Sequence, residues 1–272
     1  MYEGYWKLER SAFQGAADVG DFFASRTHHT ALLKLKYMIE NREGVGVLSG
    51  AHGLGKTFLT RVLEKELESS LGPIARLVFP QMSPGEMLAY LAAKLGAETS
   101  VQESLRADLV LRRFEARLEE LARIQKHALL IIDEAHLLEP EHFQTLHLLT
   151  NLPVEAGAMF TLLLVGEPEL LPKVQRIGAL DDRITVRTSL RPLTEEETRD
   201  YVLRRLERAG APQGIFSREA FRSLWETSLG VPRRINQLCD LSLLVGFADC
   251  LSSVSHVEIE AAAEELSAVA VD

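Results

Sequence analysis

The amino-acid sequence predicts an α/β fold in which a parallel sheet flanked by helices is followed by a small C-terminal helical domain. Apolar runs of strand length recur as VGVLS (45–49), IARLVF (74–79), ALLIID (128–133), FTLLLVG (160–166) and RITVRTSL (183–190), with longer segments of helical period between them. These runs alternate little, as expected of strands covered on both faces, and intervening helices are how parallel strands are joined. Beyond Pro192 the strand-like runs stop, and TEEETRDYVLRRLERAG, SREAFRSLWETSLG, VPRRINQLCDLSLLVGFADC and SHVEIEAAAEELSAV all read as helices.

Taken in order, the chain starts with an aromatic segment holding Tyr2, Tyr5, Trp6, Phe13, Phe22 and Phe23, which could line a base pocket, meet another subunit or pack in a core. That segment and the five strand runs are assigned to one domain, residues 1–191, and the helices to a second, residues 192–272. Thr194 and Ser217 precede acidic first turns as N-caps do, and Gly210 and Gly230 stand where helices would stop. There is no internal repeat or flexible linker, so the two parts are expected to pack closely.

A chain of 272 residues, 46% of them hydrophobic, has enough apolar material to fold unaided. Its 39 acidic and 30 basic residues give a net charge of −9, which disfavours nucleic-acid binding unless cations are locally concentrated. Candidate concentrations are Arg112, Arg113 and Arg117; Arg204, Arg205 and Arg208; and Arg233 with Arg234. Their competing reading is a solvated helix face paired with nearby glutamates. Cys239 and Cys250, too few for a disulfide framework and without metal-ligand spacing, fit a reducing compartment. With no basic cap before an apolar run at the start, and no apolar stretch of the roughly 18 residues a membrane span needs, the chain is expected to be cytoplasmic.

Chemistry concentrates in two motifs. GAHGLGKT, between the first strand run and the amphipathic FLTRVLEKELESSL, has Gly50, Gly55, Lys56 and Thr57 at the spacing of a phosphate-binding loop, with Ala51, His52, Gly53 and Leu54 inside it and Phe58 next. Glycines let successive backbone N–H groups turn inward, and the following helix adds the positive end of its dipole. Such a loop binds a nucleoside triphosphate, here taken as ATP. Lys56 would reach the β and γ phosphates, and Thr57 would place its hydroxyl on Mg2+, which prefers oxygen ligands. The second motif, LLIIDEAH, ends an apolar strand in two carboxylates at the sheet edge where open α/β sheets bind ligands. Asp133 would hold the metal through water, and Glu134 would act as general base on the attacking water. His136 reads as a polar residue starting a helix, or as a relay of nucleotide state.

With these motifs in place, the sequence resembles the AAA+ class of P-loop ATPases, and within it the ExeA/GspA-type secretion ATPases, with transposition regulators as cousins. The pieces that carry the resemblance run nearly the whole length: MYEGYWKLERSAF, SRTHHTALLKLKYMI, GAHGLGKT, LLIIDEAH, VGEPELLPKV, DDRITVRTSLRPL and GVPRRIN. The resemblance implies an AAA+ core with a helical lid, hydrolysis of ATP to ADP and phosphate, and a homo-oligomer, ring or filament. Glu167 falls at the sensor of the γ-phosphate, where the group usually carries glutamine and where a carboxylate would repel phosphate unless compensated. Arg183 matches the arginine that projects into a neighbouring subunit's site, with Arg187 its rival, and Arg233 matches the second sensor on the lid. His28 and His29 align with the segment bordering adenine. Phe58, Ala51 and His52 depart from the group's usual residues without removing a phosphate contact.

Two functions follow. One is an ATP-driven factor that regulates or assembles a separate protein partner. The other is a regulator of transposition that coats DNA.

Overall fold

The computed structural model describes all residues except 15–17, 69–70, 79, 98–106, 153–159 and 269–272. The five apolar runs become parallel strands: β1 (Val45–Ser49), β2 (Ile74–Leu77), β3 (Ala128–Ile132), β4 (Phe160–Gly166) and β5 (Ile184–Ser189). They lie in the order β2-β3-β4-β1-β5. The three inner strands are buried at every residue, which is why their sequences do not alternate. The edge strands β2 and β5 alternate between more and less buried positions, and the mixed sequence of RITVRTSL follows from its place at the rim. Phe79, the end of the second run, lies outside the described residues.

The chain forms two compact units, Thr27–His52 with Lys56–Leu190, and Met1–Arg26 with Gly53–Gly55 and Arg191–Asp272. The first contains the sheet and most of α1 (Arg26–Glu40), with α2 (Lys56–Leu67), α3 (Pro84–Lys94), α4 (Ala107–Arg123), α5 (Pro140–Leu149), α6 (Leu170–Gln175) and α7 (Gly178–Asp181). Its core runs from Leu91 and Phe114 through β3 and β4 to Phe143 and Leu170. Phe114 meets Phe160 edge-on with ring centroids 6.0 Å apart.

The second unit holds α8 (Glu195–Arg208), α9 (Arg218–Ser228), α10 (Pro232–Ala248) and α11 (His256–Ala268). Thr194 and Glu197 close a capping box at the start of α8, and the Ser217 hydroxyl accepts the Ala220 N–H at the start of α9. Gly210 and Gly230 follow the ends of α8 and α9 with φ of +74° and +68°.

One assignment made from the sequence is corrected. Met1–Arg26 belongs with the helical unit and not with the sheet. Tyr2, Trp6, Leu8, Ala12 and Phe13 are buried in one cluster with Tyr201, Leu206, Leu238 and Leu243. The Trp6 indole N–H donates to the Leu243 carbonyl at 2.9 Å, and the Tyr2 hydroxyl donates to Asp240. Burial of the ring together with the Asp240 carboxylate pushes the Tyr2 phenol far up. Core packing therefore accounts for these aromatics, because large rings with a polar tip are stable inside only where that tip finds an acceptor. Tyr5 stays partly exposed, its hydroxyl on the Leu251 carbonyl at 2.6 Å.

Candidate nucleotide site

Strand β1 delivers the chain to the sheet edge at Ser49, and α2 starts at Lys56, so residues 50–55 turn between them. Gly53 and Gly55 have φ of +81° and +87°, the left-handed backbone that lets such a loop curl around a phosphate. Lys56 is 6% exposed, and its ammonium donates to the carbonyls of Gly50 at 2.8 Å and Ala51 at 3.2 Å. The cation is thus held at the loop it is expected to serve. Of the remaining loop residues, Ala51 and His52 are exposed, Leu54 is buried, and Phe58 is half-buried on the first turn of α2.

Two strands away, β3 ends at Ile132 and Asp133 follows at 1% exposure. The Thr57 hydroxyl donates to Asp133 Oδ2 at 2.8 Å, joining the first turn of α2 to the end of β3. A hydroxyl and a carboxylate as neighbours form an all-oxygen donor pair suited to Mg2+, so the residues present fit that ion. Asp133 Oδ1 accepts the Glu134 N–H at 3.0 Å. Glu134 itself is left-handed, φ 52° and ψ 33°, a conformation that costs a non-glycine residue about 1 kcal/mol or more. Strain at a carboxylate next to an all-oxygen donor pair is the kind that functional sites retain.

Glu167, just past β4, stands beside two imidazoles. His52 Nδ1 lies 3.7 Å from its carboxylate, and its own N–H donates to His136 Nδ1 at 3.4 Å. His136 Nδ1 is also 3.4 Å from the Glu134 carboxylate, and the ligand atoms of Glu134, His136 and Glu167 lie within 4.8 Å of one another. His136 sits in the 3-10 turn Ala135–Leu137, as expected of a helix-start residue. His28 is buried on α1 and His29 is exposed.

The arginines separate. Arg233 packs in the helical unit against Gly53, its N–H donating to the Gly53 carbonyl at 3.3 Å. Arg183 is exposed at the start of β5 and donates to the Thr150 carbonyl and Asn151 Oδ1 at the end of α5. Arg187 pairs with Asp181 at 2.8 Å. The structure therefore does not bring Arg183 or Arg187 to the loop of its own chain.

Sequence reasoning overlooked Arg76 on β2. Its guanidinium binds Glu64 at 2.7 Å and the Thr60 hydroxyl at 2.8 Å, both on α2, and lies 3.4 Å from Asp133 Oδ2. The available signal was a charge inside the apolar run IARL, one strand away from the DE pair.

A parallel sheet with a glycine-turned loop after β1, a buried lysine opening the next helix and a carboxylate pair after β3 defines a P-loop nucleotide-binding protein. The AAA domain family matches residues 39–174, and the chain belongs to that family, whose members are ATPases of the AAA+ class. Over 99% of its length the chain is 30% identical to general secretion pathway protein A of Aeromonas hydrophila, of which it spans 49%. Among solved structures, the Aeropyrum pernix ORC2 protein superimposes with a TM-score of 0.69 at 19% identity, covering 94% of this chain and 71% of that one. The Thermotoga maritima RuvB branch migration motor does so with a TM-score of 0.62 at 17% identity, covering 90% and 70%. These two likenesses speak to the fold.

Proposed function

We propose that the protein is a magnesium-dependent ATPase whose nucleotide-driven self-assembly regulates or assembles a protein partner. The hydrogen bond from Thr57 to Asp133, beside the buried Lys56, is the observation that carries this reading. Thr57 and Asp133 would hold Mg2+, which supplies neutralisation of charge on the phosphate oxygens. Lys56 exchanges its loop carbonyls for phosphate oxygens. Glu134 orients the attacking water and accepts its proton, Arg233 closes from the helical unit, and Arg183 serves the site of a neighbouring copy.

The partner reading leans on the likeness to the secretion protein, of which this chain spans about half. Coating of DNA is the weaker alternative. Arg205 is buried with its Nε–H on the Ala12 carbonyl, Arg208 pairs with Asp21, and Arg117 pairs with Glu120, so three of the candidate cations are already engaged. No described helix is long and apolar enough to cross a membrane. We place the protein in the cytoplasm on its unpaired cysteines, one buried and one exposed.

Two variants test the reading. Lys56→Ala removes charge-assisted hydrogen bonds worth about 1.5 to 3 kcal/mol each, so ATP affinity should fall by roughly 10² or more while the variant still folds without nucleotide. Glu134→Gln should bind ATP normally and turn it over at least about 10²-fold more slowly. Nucleotide titration and phosphate release measure the two. Wild-type ATP affinity in the first variant, or wild-type turnover in the second, would overturn the assignment.

A further inference from the structure

We infer that Arg76 is a built-in counter-cation of the metal site, which keeps divalent metal out of the nucleotide-free protein until ATP brings it in. The inference rests on the reading of Thr57 and Asp133 as the pair that holds the metal. A carboxylate removed from water must be paired or fully hydrogen-bonded. Asp133 meets that requirement with no metal at all: Oδ1 accepts the Glu134 N–H at 3.0 Å, while Oδ2 accepts the Thr57 hydroxyl at 2.8 Å and faces Arg76 Nη1 at 3.4 Å.

The guanidinium is held there from the other side. Its Nε and Nη2 donate to Glu64 Oε1 at 3.1 and 2.7 Å, and Nη2 also donates to Thr60 Oγ1 at 2.8 Å. Glu64 and Thr60 sit on α2, the helix that starts at Lys56, so one planar fork ties the helix after the phosphate loop to the carboxylate after β3.

Charge decides the consequence. Arg76, Glu64 and Asp133 together carry −1, and without the arginine they would carry −2. A dication arriving at Asp133 must displace the donation from Thr57 and settle a few ångströms from a guanidinium. One carboxylate already shared with a cation attracts it weakly, and the negative charges of a triphosphate are needed to tip the balance. Metal binding is thereby coupled to nucleotide binding, which prevents free Mg2+ from occupying the site alone.

The test uses Mn2+ as the probe, followed by the electron paramagnetic resonance of the free ion, with the whole chain and no nucleotide. Arg76→Met should bind Mn2+ at least about tenfold more tightly than the wild type, and Arg76→Lys, which keeps the charge, should stay near it. Equal Mn2+ affinity in wild type and Arg76→Met would overturn the inference and leave Arg76 as a brace between β2 and α2. If Arg76→Met fails to fold, Glu64→Gln decides: with the cation no longer offset, Mn2+ binding should weaken, and unchanged affinity would overturn the proposal. Asp133→Asn separates this from the underlying reading. Full Mn2+ uptake with ATP in that variant would remove Asp133 from the metal site altogether. Loss of uptake there, with Arg76→Met unchanged, would sink only the role given to Arg76.

Discussion

Arg183 offers the sharpest test of whether catalysis needs more than one copy of the chain. β1 runs toward the phosphate loop, and its register with β5 pairs Val45 with Ile184 and Ser49 with Ser189. Arg183 therefore stands at the far end of β5 from the loop. Six residues of strand at about 3.3 Å each put its Cα roughly 20 Å from that of Ser189, and an extended arginine side chain covers less than half of that. It cannot serve the site of its own chain. Its present partners, the Thr150 carbonyl and Asn151, lie at the exposed end of α5, so the group is presented outward and is held by neutral acceptors that an anion would outbid. A guanidinium supplied from a neighbour is worth about 10³ to 10⁵ in rate, or roughly 4 to 7 kcal/mol of barrier. Arg183→Ala should keep its ATP affinity and lose turnover on that scale. Mixed with Lys56→Ala protein, which has a crippled site but an intact arginine, it should regain part of the activity through hybrid interfaces. Phosphate release measured across a dilution series completes the assay. Wild-type turnover in Arg183→Ala, or wild-type specific activity that stays constant on dilution to the monomer, would refute the reasoning and return the role to Arg187 or to Arg233 alone.

Two further predictions concern stability. Gly230 has φ of +68°, and a Cβ there would lie 2.0 Å from the Leu193 carbonyl oxygen, so Gly230→Ala should cost more than about 2 kcal/mol in urea unfolding. Gly214→Ala, at φ +89° but with open space around it, should lose only the backbone part, about 1 kcal/mol, and equal losses would remove the steric argument. His127 is lowered from its ordinary 6.5 to about 4, chiefly by burial and then by the nearby Arg42. The unfolded chain takes up that proton below about 6.5 and the folded chain does not until about 4. The stabilisation is therefore complete above that window and lost as the pH falls through it, by up to about 3 kcal/mol. His127→Gln, which can still donate to the Thr161 hydroxyl that His127 Nε2 meets at 2.9 Å, should flatten the acid limb of the melting-temperature profile between pH 7 and 5. An unchanged limb would mean that other groups set it.

The parallel sheet was legible because burial on both faces leaves unbroken apolar runs, and the loop because glycine spacing and a following helix leave few other readings. The caps at Thr194 and Ser217 were legible for a similar local reason, since an N-cap is decided within four residues. What escaped depends on contacts between distant parts of the chain. Trp6 meets Leu243 and Tyr2 meets Asp240, more than 230 positions away in each case, and nothing within MYEGYWKLER specifies that partner. Arg76 escaped for the same reason. Its position in β2 was visible, but that β2 lies beside β3, with Leu77 opposite Ile132, is a property of the sheet order.

That dependence on distant contacts also bears on the two residues that fit the family pattern least well. Taken singly, His52 is an unusual residue in the loop, and Glu167, which the resemblance aligns with a sensor of the γ-phosphate, looks like a loss because a carboxylate facing phosphate is repelled. In the structure they face each other at 3.7 Å, and the Glu167 backbone N–H is fixed on His136, which in turn stands 3.4 Å from Glu134. The two departures are thus parts of one arrangement. A carboxylate that has an imidazole to turn toward need not point at the phosphate, and an imidazole on the loop can approach phosphate as a donor. The same geometry places a single side chain, His136, between Glu167 and the proposed general base, Glu134. Left-handed backbone at a non-glycine residue persists only where its surroundings fix it, so the strain at Glu134 marks a carboxylate whose backbone is held in place beside His136.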